Sequence, residues 1–445
     1  MSSIVSVMVI FDAITDPIVA NIFDKFESKH GKFRPFMLAG CLLSVIPAIV
    51  IFCYPVDSGL PLWASYTILT VMYAIIVVGN TILSTATRAG QAVITQDPKQ
   101  RPLYALGTTI FDAIVMAFVS LVVTGNVMGE MQDPKVWRFA ILVLSATSVI
   151  LVFIAMQAIK TRDNPTYYSI SSSAEKPKFT EFFSLIKRNR PFRCLMVATA
   201  SDSLAASIRA SLTIYLFANV IMNRSISASF DIATGVILGG PILLVGIYFA
   251  SKKGSAVIYS KISIFQTIIA ITGFLACVFL LPASPDATYN GLTASVILVL
   301  LVFGIYMSTL GISSNLVNAM TGDLADYEFY TTGKFIPGTI GATLTFVNKI
   351  AKSFVGILIT GIMVFCGFKS SGASTVIPEN VFVNHRFYYC ILIAVFILPA
   401  IGHFITYIAM RHYPLDDKKM QEISIYVAEK RGVLKEEDTV LSQKQ

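Results

Sequence analysis

Two carboxylates, Asp12 and Asp16, stand four residues apart in the run FDAITDP. On an α-helix that spacing puts both on one face, one turn apart. Like charges there repel unless a cation lies between them or one carries a proton. Carboxylate oxygens are hard ligands that suit a small hard cation such as Na⁺. Thr15 adds a hydroxyl one residue off that face. Pro17 removes a backbone donor and frees a carbonyl. The competing explanation is structural, with Asp16 capping near a helix end and Asp12 tied to a neighbour.

The medium around these acids follows from composition. Of 445 residues, 55% are hydrophobic and 13% charged, and the mean hydropathy is +0.71. A soluble chain carries roughly 25% charged residues. A sequence this apolar is read as an all-α membrane protein. The net charge of +8 does not indicate nucleic acid, because the basic residues form short clusters between apolar runs. Cys41, Cys53, Cys194, Cys277, Cys366 and Cys390 show neither disulfide nor metal spacing and read as small hydrophobes.

About eleven stretches are long enough to cross a ~30 Å hydrocarbon core, among them Ile4–Phe23, Leu103–Val127 and Phe192–Met222. The loops Asp24–Phe36, Asp97–Arg101, Lys160–Arg193 and Ser251–Ser255 and the C-terminal tail are basic, whereas Pro55–Pro61 and Pro282–Asn290 are not. All basic loops fall on one side, which is expected to be cytoplasmic in a cell membrane, with the C-terminus there too. The N-terminus then starts outside, and we expect one N-terminal helix to be missing from the chain. The expected division is an N-terminal bundle over 1–160, a linker over 161–191, a six-helix bundle over 192–411 and a cytoplasmic tail over 412–445. Two such bundles around a midplane site describe a major-facilitator-type transporter.

In hydrocarbon an ionisable side chain costs at least ~2.5–3.5 kcal/mol, so those within spans are informative. Lys349 lies roughly 17 Å along its helix and cannot easily reach an interface. It is expected to pair with a carboxylate and couple it to substrate or cation, unless it forms a purely structural ion pair. Lys352 is about one turn on. Asp112 and Asp202 also fall near mid-depth, to line a cavity, pair with Lys349 or make structural contacts. Arg88 either snorkels to the surface or offers its forked guanidinium to a carboxylate or phosphate. Asn315, Asn318 and Asn348 suit a polyol or one another.

The segment FDAITDPIVANIFDKFESKHGKFRPF resembles the signature of the glycoside–pentoside–hexuronide:cation symporters, the melibiose-carrier family. There a helix with D-x-x-x-D-P precedes a basic loop ending in GKF-[KR]-P. GDLADYEFY, Gly322 to Tyr330, is similar to the family's A-D-x-x-D-Y-x-x-Y motif, and Lys349 falls at its penultimate-helix lysine. In that register Met1 begins at the second family helix. The resemblance implies that Asp12 and Asp16 bind the coupling cation, that Thr81 joins them, and that Lys349 links cation and sugar sites. Thr15 stands where the melibiose carriers have asparagine. Ser84 replaces the galactoside-binding aspartate, Arg88 the stacking tryptophan, and Thr109 an arginine. Phe335 and Pro337 replace an arginine and a glutamate. The cation half is kept and the sugar half rebuilt, with Arg88 favouring an acidic sugar.

The expected function is Na⁺- or H⁺-coupled symport of a glycoside, oligosaccharide or sugar acid by a monomer, with no cofactor beyond the coupling ion and no nucleic-acid partner. Lysolipid transport on the same fold and a transport-inactive sensor are the alternatives. The histidines His30, His385, His403 and His412 form no catalytic or metal-binding set in the sequence, so an enzyme is not expected.

Overall fold

The computed structural model describes residues 2–26, 28–29, 31–53, 61–95, 99–104, 107, 111, 114–115, 134–163, 181–219, 238–281, 293–365, 369–371, 374–376 and 385–430. Most of the expected span Leu103–Val127 and the start of the span at 232–250 lie outside these residues, as do Asp112 and Thr109.

The described chain is almost entirely helical. Its helices are α1 (Ser2–Lys25), α2 (Phe33–Cys53), α3 (Leu62–Ile94), α4 (Pro134–Ile159), α5 (Glu181–Arg188), α6 (Arg190–Asn219), α7 (Gly239–Lys253), α8 (Ser255–Leu280), α9 (Ala294–Thr332) and α10 (Pro337–Phe365). After them come α11 (His385–Leu392), α12 (Leu398–Arg411) and α13 (Asp417–Lys430). The hydrogen bonding widens to a π-turn over Ile393–Ile397, just ahead of Pro399. A short antiparallel ribbon pairs Lys369–Ser371 with Ser374–Val376. The amphipathic helix α5 lies within the stretch read from sequence as a linker.

Seven of the described helical segments are long and apolar enough to span a membrane. Large apolar side chains such as Phe153, Phe279 and Ile357 are exposed. Long apolar helices with apolar outer faces fit a lipid solvent.

The chain forms two compact units. The first comprises Met1–Asn189, Asn318–Phe346 and Asp417–Gln445, and the second Arg190–Val317 and Val347–Asp416. In the first, α2 packs against α3 and α4, and α1 against α3. The α2–α3 contact depends on two glycines. A Cβ on Gly40 would lie 2.8 Å from the Leu83 amide and 2.9 Å from the Gly79 carbonyl, and one on Gly79 would lie 2.8 Å from the Ser44 amide. Small residues allow this backbone approach, which gives apolar helices dispersion contact in lipid. In the second unit α12 packs against α6 and α8. Its core gathers Leu212, Phe217, Phe303, Ile391 and Phe396, all fully buried.

Candidate cation and substrate site

The α1–α3 contact creates the main polar site of the first unit. Asp12 is half-buried and Asp16 is buried, at 3% exposure. Thr81, on α3, donates its hydroxyl to Asp12 Oδ1 at 3.0 Å. The same hydroxyl lies 3.0 Å from the Val77 carbonyl. One proton serves two acceptors, so the hydroxyl can turn from the carboxylate to the carbonyl and leave a lone pair facing Asp12. Thr15 directs its own proton back to the Asp12 carbonyl at 3.0 Å. Its oxygen keeps acceptor capacity.

One helical stripe of α3 carries Thr81, Ser84, Thr85 and Arg88. Ser84 is exposed and bonds the Thr81 carbonyl at 3.1 Å. Arg88 is half-buried. Its guanidinium donates to Thr345 Oγ1 on α10, and the Asp16 carboxylate acts on it electrostatically. Thr345 in turn donates to the Gly341 carbonyl at 2.9 Å. These contacts hold the guanidinium between α3 and α10. Two carboxylates and one guanidinium thus share this cluster.

The second unit holds Lys349 and Asp202. Lys349 is half-buried on α10, and Lys352 is exposed. The neighbouring Asn348 has a buried amide oxygen that accepts no hydrogen bond among the described residues. Asp202 does not take Lys349 as its ion-pair partner. Its carboxylate meets His403 Nδ1 at 2.6 Å and receives the Tyr259 hydroxyl at 3.2 Å. Helix packing, which a single sequence does not give, sets His403 against Asp202.

Both sequence motifs also build ion-pair and capping contacts that spacing did not disclose. In the second motif, Asp323 and Asp326 clamp Arg101, with Asp323 Oδ1 at 2.5 Å. Burial opposes the Arg101 charge, but Asp326 and Asp323 hold its pKa above the ordinary arginine value. Glu328 accepts from Arg188 and, at 2.9 Å, from the Asn189 amide. After the first motif, Asp163 caps α2, accepting the backbone amides of Lys32 at 2.7 Å, Phe33 at 3.1 Å and Arg34 at 3.0 Å. Asp24 caps α10 through the amides of Gly338 at 3.1 Å and Thr339 at 2.7 Å. Burial pushes the Asp24 carboxyl above the usual range, against the pull of Lys32 and Thr339. Carboxylates at helix N-termini meet both the unpaired amides and the positive end of the dipole.

Comparison with known proteins agrees with this architecture. The model of the family described as MFS/sugar transport protein matches residues 1–417. The chain is 26% identical to “Putative glycoside/cation symporter YagG” of Escherichia coli (strain K12), over 95% of this chain and 85% of that one. It is 21% identical to the “Glucuronide carrier protein homolog” of the same organism, over 95% and 86%. In three dimensions it is similar to a bacterial homologue of the iron transporter ferroportin, with TM-score 0.65, 13% identity and coverage of 93% and 89%. It is also similar to the major facilitator transporter FucP, with TM-score 0.57, 13% identity and coverage of 93% and 90%. These likenesses show the major-facilitator fold. Matched along nearly its whole length, the chain belongs to the MFS/sugar transport protein family and, within it, to the glycoside–pentoside–hexuronide:cation symporters.

Proposed function

We propose that this protein moves a glycoside, oligosaccharide or sugar acid across the cell membrane, coupled to one monovalent cation held at Asp12 and Asp16. The observation that carries the reading is the Thr81–Asp12 hydrogen bond beside buried Asp16 and Arg88. The cluster has oxygen ligands from two helices, and its two carboxylates repel each other unless a cation or a proton sits with them. A monovalent cation, Na⁺ or H⁺, relieves that repulsion. The loaded site is the state that tolerates low dielectric, and its loading permits alternating access. In this reading the cytoplasmic side is the one with the basic loops. In the second unit we assign Lys349 and Asn348 to substrate binding, because a buried amide oxygen suits a sugar hydroxyl. Arg88 gives the site its preference for an acidic sugar. Names of the relatives, a glycoside/cation symporter and a glucuronide carrier homolog, support the substrate class.

The test is uptake by the purified full-length protein in proteoliposomes. Labelled glycosides and glucuronides are offered with an imposed Na⁺ gradient, an imposed proton gradient, or neither. Gradient-driven accumulation of one of them is expected; equal uptake of every sugar with and without either gradient would contradict the proposal.

A second reading has one observation in its favour. An apolar cavity of about 580 Å³ in the second unit is lined by Pro241, Val245, Phe249, Phe265, Ile305 and Ile312, among others, with Lys253 and Lys261 at its wall. Such a surface suits an amphiphile, and uptake of a labelled lysophospholipid in the same vesicles would establish that alternative.

A further inference from the structure

A chain of titratable side chains runs through the second unit, apart from the Asp12–Asp16 cluster. Asp202 on α6 meets His403 on α12, with Oδ1 2.6 Å from Nδ1. Tyr259 on α8 donates to Asp202 Oδ2 at 3.2 Å. Tyr306 on α9 pairs with His403 Nε2 at 2.9 Å. The His403 side chain is fully buried, whereas the Asp202 side chain keeps 12% of its surface accessible.

The meeting is built into the helix crossing. A Cβ on Gly402 would lie 2.8 Å from Ala205 Cβ and 3.1 Å from the Ser201 carbonyl. Ser201 also donates to the Gly402 carbonyl at 2.8 Å. α6 and α12 therefore touch one residue away from both members of the pair. Among the described residues, Arg209 of α6 also faces the cluster, 5.9 Å from the Tyr306 ring centre and hydrogen-bonded to Met307. On α8, Lys261 is exposed, and on α12, Tyr407 and Arg411 bond each other further along the helix.

The distances limit where protons can stand. At 2.6 Å a proton must lie between Nδ1 and Oδ1, because two lone pairs would repel there. With Asp202 ionised, the neutral imidazole carries its proton on Nδ1, and Nε2 accepts from the Tyr306 hydroxyl. Nε2 is the ring position left to take a second proton. On loading, a hydronium ion gives its proton to the Nε2 lone pair and leaves as water, and Tyr306 turns from donor to acceptor. No heavy atom need move. The carboxylate that was the only formal charge of the pair then faces an imidazolium. Histidine is the side chain whose ordinary titration falls near neutrality, and ionisable chains inside membrane segments are a recurrent form of proton relay.

We propose that Asp202 and His403 form a proton-binding site, distinct from the Asp12–Asp16 cation site, with Tyr306 as its switching partner, and that its loading sets the pH dependence of transport. Full-length protein labelled with ¹⁵N-histidine in nanodiscs reads the site directly. The chain has four histidines, so the His403 resonances are those lost in His403→Gln. Across the pH range that the protein tolerates, the doubly protonated ring and the neutral ring with its proton on Nδ1 are both expected to be seen. In Asp202→Asn the doubly protonated form is expected to disappear from that range. A ring that keeps one protonation state throughout, or a neutral form protonated on Nε2, overturns the proposal. In proteoliposomes, His403→Gln is expected to lose the wild-type pH dependence of uptake; an unchanged profile overturns the link to transport. If wild-type vesicles take up no sugar, the symport reading fails while the nitrogen titration still decides the proton site.

Discussion

Replacing Thr81 by valine removes one oxygen from the cation cluster and little else. Valine matches threonine in shape, and the site is 3% exposed, so water does not readily replace the hydroxyl. Two effects oppose each other. In the empty site the Thr81 proton, 3.0 Å from Asp12 Oδ1, stabilises the carboxylate and competes with an incoming ion. In the loaded site the proton turns to the Val77 carbonyl, also 3.0 Å away, and the hydroxyl oxygen becomes a ligand of the ion. The competing bond is weakened because its proton is shared between two acceptors. The ligand loss is undivided, so it dominates. A hydrogen bond to a charged group is worth about 1.5–3 kcal/mol. Subtracting the relieved competition leaves about 1–2 kcal/mol, or roughly 5–30-fold weaker cation affinity. The assay is sugar uptake in proteoliposomes as a function of cation concentration. The half-saturating concentration should rise by that factor, with the maximal rate nearly kept. An unchanged or lower value would refute the placement of Thr81 in the cation site.

Two further outcomes follow from the packing of the first unit. Arg101→Met removes the cation held between Asp323 and Asp326, and breaking such a buried pair costs about 3–5 kcal/mol. The detergent-solubilised variant should melt well below wild type, and an unchanged melting curve would show that Arg101 does not carry the clamp. Gly79→Val places a Cβ against the Ser44 and Leu43 backbone, an overpacking of about 1–3 kcal/mol or more. It should lower the yield of monodisperse protein in size-exclusion chromatography, whereas Gly90→Ala, whose Cβ would lie at an ordinary 3.6 Å from Ile159 Cδ1, should not.

How much of this was legible in the sequence depends on the reach of each interaction. Asp12 and Asp16 are one turn apart, so helical periodicity alone placed them on one face. The apolar runs announced the spans because a membrane demands length and hydropathy locally. Thr81 came from resemblance to a family, since nothing near it in sequence points to Asp12, 69 residues away. Asp202 and His403 are 201 residues apart, and Arg101 and Asp326 are 225 apart. Such pairs are set by which helices cross and at which small residue, as Gly402 against Ala205 shows. A single sequence gives helix faces but not helix neighbours. The capping carboxylates Asp24 and Asp163 were hidden for a related reason. Each caps a helix that begins far from it in the chain, whereas capping signals read from sequence are local.

The measurement that bears most directly on the mechanism is gradient-driven accumulation by Asp12→Cys, set beside its substrate exchange without a gradient. If Asp12 and Asp16 hold the travelling ion, the variant should lose Na⁺- or H⁺-driven accumulation entirely, and cation should no longer stimulate sugar binding. Accumulation at the wild-type level, with wild-type cation dependence, would contradict the account.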